Sequence, residues 1–177
     1  MKKSIVSIVL MSCSLLSPNR DYSEIIQLTK TLQPVEYVVK KSIAIKAEPG
    51  KVWDALTNPE KTQKYFFHSR VFSNWKPGSP ITFKGRIFLI KKIELNGKII
   101  AAEPGKLLKY TLKNGKEENL DNFSTVTDVL TYSNGETTVS VSDDVGKAEG
   151  AEKRFKRSEK GWEKVLKGLK ETVEENK

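Results

Sequence analysis

SEKGWEKVLKGLKETV, residues 158–173, is the stretch whose reading decides the fold. Trp162, Val165, Leu166, Leu169 and Val173 recur at the three- and four-residue spacing of an α-helix, with Phe155 one repeat upstream. Lysines and glutamates fill the other positions, so the segment is an amphipathic C-terminal helix whose apolar arc must be covered. Glu163 stands four residues before Lys167, the orientation that favours an ion pair along a helix. Gly161 and Gly168 lie on one edge of the arc. Each costs about 1 kcal/mol relative to alanine in a helix interior, so that edge either meets a close neighbour or borders a space.

The chain ahead of the helix offers one surface large enough to cover the arc. Val35, Tyr37, Val39, Ile43 and Ile45 alternate with polar or smaller residues, which predicts a strand over Val35–Lys46. Pro49 opens a helix with Val52, Trp53 and Leu56 on one side, and Asn58-Pro59-Glu60 caps a second short helix with proline at its first position. From His68 onward, β-rich runs alternate with the turn signals Pro77-Gly78, Asn96-Gly97, Pro104-Gly105, Asn114-Gly115 and Asn134-Gly135. Asn-Gly favours the type I′ turns of antiparallel hairpins. The expected strands are Arg70–Asn74, Ile81–Gly85, Ile87–Leu95, Lys98–Glu103, Leu107–Lys113, Ser124–Tyr132 and Thr137–Ser142, the third interrupted by Lys91-Lys92. Strand, two short helices, antiparallel strands and long helix make an α+β protein, with the helix held in the concavity of a curved antiparallel β-sheet.

Composition bounds the function classes. A chain of 177 residues with 37% hydrophobic content supports one core. The net charge of +9 comes from lysines interspersed with glutamates rather than from a basic block, so solvated lysines account for it and no specific nucleic-acid partner is expected. One cysteine, Cys13, and one histidine, His68, cannot build a disulfide framework or a His/Cys zinc site within one chain. The sequence has no Ser-His-Asp constellation and no GxGxxG or GxxxxGK loop, and no cofactor is expected.

Three segments are expected: an apolar leader over residues 1–16, a linker over 17–34 and the domain over 35–177. Lys2 and Lys3 precede an apolar run, Ile5–Met11, which is too short to span a bilayer. Leu10-Met11-Ser12-Cys13 resembles a bacterial lipoprotein box, which makes Cys13 a candidate lipidation site and the one route to a membrane. The other reading is a frayed leader, or an over-long start with Met11 as another initiator, on a cytoplasmic protein. Tyr22–Leu32 has partial helical spacing that Pro34 ends.

Four pieces of sequence carry a family resemblance: VWDALTNPE at 52–60, WKPGSPI at 75–81, Gly97 through EPGKLLKYT at 103–111, and Gly161-Trp162 followed by LKGLK at 166–170. In this order and spacing, over about residues 37–175, the chain resembles the START-like SRPBCC superfamily, in the branch homologous to the C-terminal domain of the activator of heat-shock protein 90 ATPase. The resemblance implies a helix-grip fold, frequently with an apolar cavity between sheet and helix. One such fold hosts lipid carriers, receptors, cyclases and co-chaperone domains.

The function expected on that fold is non-enzymatic binding of an apolar, lipid-like or aromatic small molecule in the cavity. The alternatives are a co-chaperone-like domain that meets a heat-shock protein 90 chaperone, with a role in stress response, and an enzyme that uses the cavity. The lining candidates are Phe66, Phe83 and Tyr110, then Val126, Asp128 and Leu130 from one strand face, and Trp162, Val165, Leu166, Gly168 and Leu169 from the helix. Trp162 either packs as core or stacks on a guest, and Trp53 reads as core. Family members commonly carry tyrosine at the position of Asp128. An inward Asp128 would put a carboxylate into the cavity, to bind a polar ligand group or to act as the only candidate base, whereas a bulge would leave it solvated. His68 reads as a surface-loop residue and Asp143-Asp144 as a strand end. No catalytic set and no metal ligands are expected.

Overall fold

Alternation in the middle of the chain and helical periodicity at its end both become structure in the computed structural model. It divides the chain into Met1–Val35 and Glu36–Lys177 and describes residues 36–87, 91–114 and 123–175. The strands are β1 (Val38–Ile45), β2 (Ser69–Ser73), β3 (Pro80–Ile87), β4 (Lys91–Glu103), β5 (Leu107–Asn114), β6 (Ser124–Ser133) and β7 (Glu136–Asp144). The helices are α1 (Pro49–Thr57), α2 (Pro59–Tyr65) and α3 (Ala151–Glu174). The leader with Cys13, the linker with Tyr22–Leu32, Gly115 of the Asn114-Gly115 turn and positions 88–90 of the Ile87–Leu95 run lie outside the described residues.

The strands form one sheet in the order β1-β7-β6-β5-β4-β3-β2, with every neighbouring pair antiparallel. Chemistry explains the corners. Pro59 starts α2 while the Asn58 side chain accepts a hydrogen bond from the Glu60 amide, satisfying a donor that the helix leaves open. Asn134 and Gly135 both have positive φ between the paired residues Ser133 and Glu136, the two-residue turn that the Asn-Gly signal predicts.

The same signal misleads at Asn96-Gly97. Lys91–Glu103 is one strand rather than the end of one run and the start of another, and Asn96 pairs with Lys113 within it. A Cβ on Gly97 would stand 1.7 Å from the Thr111 carbonyl oxygen, and the Lys98 amide donates to the Thr111 hydroxyl at 3.0 Å. Glycine is there because β5 crosses too close for a side chain, the second meaning of glycine inside a strand. The register slips between Ile99 and Ala101, a bulge that bends the sheet.

The concave face receives α3, whose Trp162, Val165, Leu166, Leu169, Thr172 and Val173 are buried. It meets Val39, Ile45, Ile81, Phe83, Ile99, Leu108, Tyr110, Val139 and Val141 in one core. On α1, Val52 and Ala55 are fully buried, while Trp53 and Leu56 are half-buried against that core.

The helix is tied to β1 as well. Lys170 Nζ donates to the Ala44 carbonyl at 2.6 Å, the Lys46 amide donates to Glu174 at 2.8 Å, and Lys41 pairs with Glu163 at 2.9 Å. The expected Glu163–Lys167 pair is thus replaced: Glu163 reaches across to the strand and Lys167 lies 3.8 Å from Glu171. A cation offered by the sheet competes with the helix's own, and exposed pairs of either kind are worth little.

Candidate functional site: the interior between sheet and C-terminal helix

Strand alternation decides which side chains enter the interior. Along β6, Val126, Asp128 and Leu130 face α3 while Val129 is exposed. Asp128 lies opposite Leu108 of β5 on one side and Val141 of β7 on the other, and Asp143 of β7 lies opposite Val126. The two carboxyl groups are therefore diagonal neighbours on the same inner face, within reach of each other's charge. Asp128 is 2% exposed and Asp143 4%.

Aromatic rings surround Asp128. Phe66, just after α2, stacks on Phe83 at 4.4 Å between ring centres and meets the edge of Trp162 at 6.3 Å; Phe83 lies 6.1 Å from Tyr110. Between them is a small cavity of about 20 Å³, lined among others by Leu56, Tyr65, Phe66, Phe83, Tyr110, Asp128, Trp162 and Leu166. That is room for roughly one or two water molecules. Phe66, Phe83, Tyr110, Asp128, Trp162, Val165, Leu166 and Leu169 of the expected lining come together around it.

Val126, Leu130 and Gly168 do not line it. Val126 and Leu130 are buried on the same strand face to either side of Asp128. Gly168 abuts Tyr65, where an added Cβ would stand 2.8 Å from the tyrosine Cβ, so this edge of the helix is a close contact.

The electrostatics single out Asp128. Burial, and then the charge of Asp143, push its carboxyl up to about 8. Its Oδ1 is buried with no hydrogen-bond partner. Burial, and next Asp128 itself, raise the phenols of Tyr65 and Tyr110 above their ordinary value. The Tyr65 hydroxyl donates to the Ala55 carbonyl at 2.9 Å, so it is already committed.

Asp143 corrects an expectation. It does stand near the end of β7, but it faces inward as an acceptor. Its Oδ2 takes hydrogen bonds from the Ser158 hydroxyl and from Trp162 Nε1, the latter at 3.0 Å, and its Oδ1 has no partner. Trp162 is thus fixed by its indole N–H rather than by packing alone. The missed signal was alternation: Val139, Val141 and Asp143 share one parity in β7.

His68 is exposed, at positive φ beside Phe67 in the turn after α2. Among the described residues no group of three His, Cys, Asp or Glu side chains converges as a metal site, and no helix is long and apolar enough to cross a membrane.

Solved structures share this arrangement. A protein of Cytophaga hutchinsonii, known in solution, is 32% identical with a TM-score of 0.65, over 81% of this chain and 98% of that one. A Mesorhizobium loti protein is 21% identical with a TM-score of 0.66, over 79% of this chain and 98% of that one. The Aha1 dimer from Colwellia psychrerythraea is 18% identical with a TM-score of 0.60, over 77% and 95%. The last two likenesses show the helix-grip fold alone. No curated protein matches the sequence. The family described as Activator of Hsp90 ATPase homolog 1-like protein matches residues 46–174, and with a sheet gripping its C-terminal helix throughout that span, the chain belongs to this family of the SRPBCC type.

Proposed function

We propose that the chain is a small-molecule binding protein with no catalytic step of its own, holding a compact and mostly apolar guest between the sheet and α3. The observation that carries this reading is Asp128, a buried carboxyl with an unpartnered oxygen among apolar and aromatic walls. Such a group costs stability unless something supplies the missing hydrogen bond, and a guest with a polar head does so. The lining contains no histidine, cysteine, serine or lysine to complete an acid-base or nucleophile pair with it.

A cavity of about 20 Å³ is a closed form, so a guest larger than a few atoms enters only when a wall moves. The α1–α2 layer, which contributes Leu56 and Tyr65 to the wall, is the shortest helical structure around it. Native mass spectrometry of the protein as purified, then after incubation with indole and with a medium-chain fatty acid, tests the reading. A stoichiometric adduct that Leu166→Trp abolishes supports it; turnover of the bound compound would replace it with the enzyme reading, in which Asp128 is the base.

A second reading takes the outer sheet face as its observation. Lys40, Lys84 and Lys98 are exposed there, a surface that suits an acidic protein partner. The family is named for an activator of the Hsp90 ATPase, and stimulation of that ATPase by the purified chain is the direct test. Cytoplasmic residence or anchoring through a lipidated Cys13 is decided separately, by intact mass of soluble and membrane fractions.

A further inference from the structure

We infer that the guest's polar head is a protonated amine, held between Asp128 and Asp143 with aromatic rings around it. The inference rests on the interior-binding reading and names the chemical class of what binds. Asp128 Oδ1 and Asp143 Oδ1 are the buried side-chain oxygens without a hydrogen bond among the described residues, and the strand register makes their side chains diagonal neighbours on one face. Two orphans so placed are not two independent accidents of packing, because Asp143 lies two residues from Val141, the residue opposite Asp128 on the next strand.

Donor counting favours an ammonium group. A hydroxyl has one proton to give and can satisfy one of the two oxygens, whereas an ammonium group has three N–H donors and can reach both. A water molecule has two donors but brings no charge to offset the ionised form of Asp128, which burial disfavours. Charge balance points the same way. The cavity lining includes no Lys, Arg or His, the Ser158 and Trp162 donors both go to the other oxygen of Asp143, and the Tyr65 hydroxyl goes to Ala55. Burial holds the proton on Asp128 up to about 8, and a guest cation offsets the cost of ionising the buried group, so Asp128 gives up that proton to solvent as the ammonium group enters.

Size and surroundings agree. The cavity of about 20 Å³, close to an ammonium head in size, is lined by Asp128 and by Phe66, Phe83, Tyr110 and Trp162, rings of the kind that attract a desolvated cation, while Asp143 stands behind this lining on the next strand. The apolar remainder of the guest would lie along Leu166 and Leu169, once the wall has opened.

Isothermal titration of the full chain with benzylamine, benzyl alcohol and toluene, near neutral pH, tests the charge class on a common ring. The expected result is benzylamine about tenfold tighter than benzyl alcohol, the worth of a charge-assisted hydrogen bond, with that preference lost in Asp128→Asn and in Asp143→Asn. Retained binding of toluene, which has no polar group to offer either carboxyl, shows that the site survives in each variant. Equal affinity of wild type for the two, or a preference that persists in both variants, overturns the cation while leaving the interior site in place. Failure of all three compounds and of the indole and fatty-acid probes overturns the interior-binding reading, and this inference with it.

Discussion

Gly168 of α3 touches Tyr65 of α2 so closely that the first carbon of any side chain at position 168 would stand 2.8 Å from the tyrosine Cβ and 3.4 Å from its Cα. Those atoms sit at the root of the side chain and cannot swing away. Gly168→Leu should therefore destabilise the fold by roughly 1–3 kcal/mol through overpacking, more than offsetting the helix propensity that leucine brings. A urea melt with the midpoint of the wild type would show that α2 gives way freely.

Gly161, on the same helix edge, should behave in the opposite way. A Cβ there meets only the tip of the exposed Phe67 ring at 3.5 Å, an ordinary contact. Gly161→Ala should stabilise by up to about 1 kcal/mol from helix propensity alone. Reversal of the two signs, measured side by side, would contradict the assignment of one glycine to contact and the other to space.

Asp128 predicts a pH dependence with a definite sign. Its carboxyl is pushed up to about 8 in the fold, above the ordinary 3.8 of the unfolded chain. Below about pH 4 both states are protonated and no penalty applies. As pH rises towards 8 the unfolded chain releases a proton that the folded one keeps, so stability falls across that window and levels off above it, by a total on the order of 5 kcal/mol. Asp128→Asn should flatten the slope. It should gain a few kcal/mol near pH 8, after allowance for about 1–3 kcal/mol for an amide left without partners, and gain nothing near pH 4. Parallel pH–stability curves for the two proteins would remove Asp128 from the dry interior.

The bonds from Ser158 and Trp162 to Asp143 should show as coupling. Ser158→Ala takes a donor from a buried carboxyl and should cost about 1–3 kcal/mol. In an Asp143→Asn background the same change should cost clearly less. Additive effects in the double-mutant cycle would mean that the contact carries no energy of its own.

Gly97→Ala should be the most damaging of these substitutions. Its Cβ would overlap the Thr111 carbonyl at 1.7 Å, and backbone cannot yield as a side-chain tip can. Loss of several kcal/mol, or of soluble folded protein, is expected. A near-native thermal midpoint would place β5 further from β4 at this point.

The contrast between Asn96-Gly97 and Asn134-Gly135 shows where sequence reading stops. Both pairs carry the same dipeptide, yet one turns the chain and the other lies inside a thirteen-residue strand. The difference is set by Thr111 on the next strand, which no local window contains. The C-terminal helix, most strands and the shared face of Val126, Asp128 and Leu130 were legible because they depend on periods of two and 3.6 within a few residues, whereas whether Asp128 pointed inward or was solvated stayed open until the sheet was in place. Asp143's partners Ser158 and Trp162, the Lys41–Glu163 pair and the contact of Gly168 with Tyr65 all join separate elements, and partner choice there follows from how those elements pack. The size of the cavity was equally hidden, since side-chain volumes fill or leave a space only once the elements are in place.

The tie between α3 and β1 has a consequence for how the protein is made. The strand nearest the start of the domain hydrogen-bonds to β7, and its Ala44 carbonyl and the Lys46 amide just past its end are fastened to Lys170 and Glu174 at the far end of the helix. Neither the first strand nor the hydrophobic side of the sheet can reach its final partners until the last helix has left the ribosome. The nascent chain must then carry an open sheet edge and uncovered valines through most of its synthesis. Slow, highly non-local closure is the kinetic signature of a sheet that grips a helix synthesised after it.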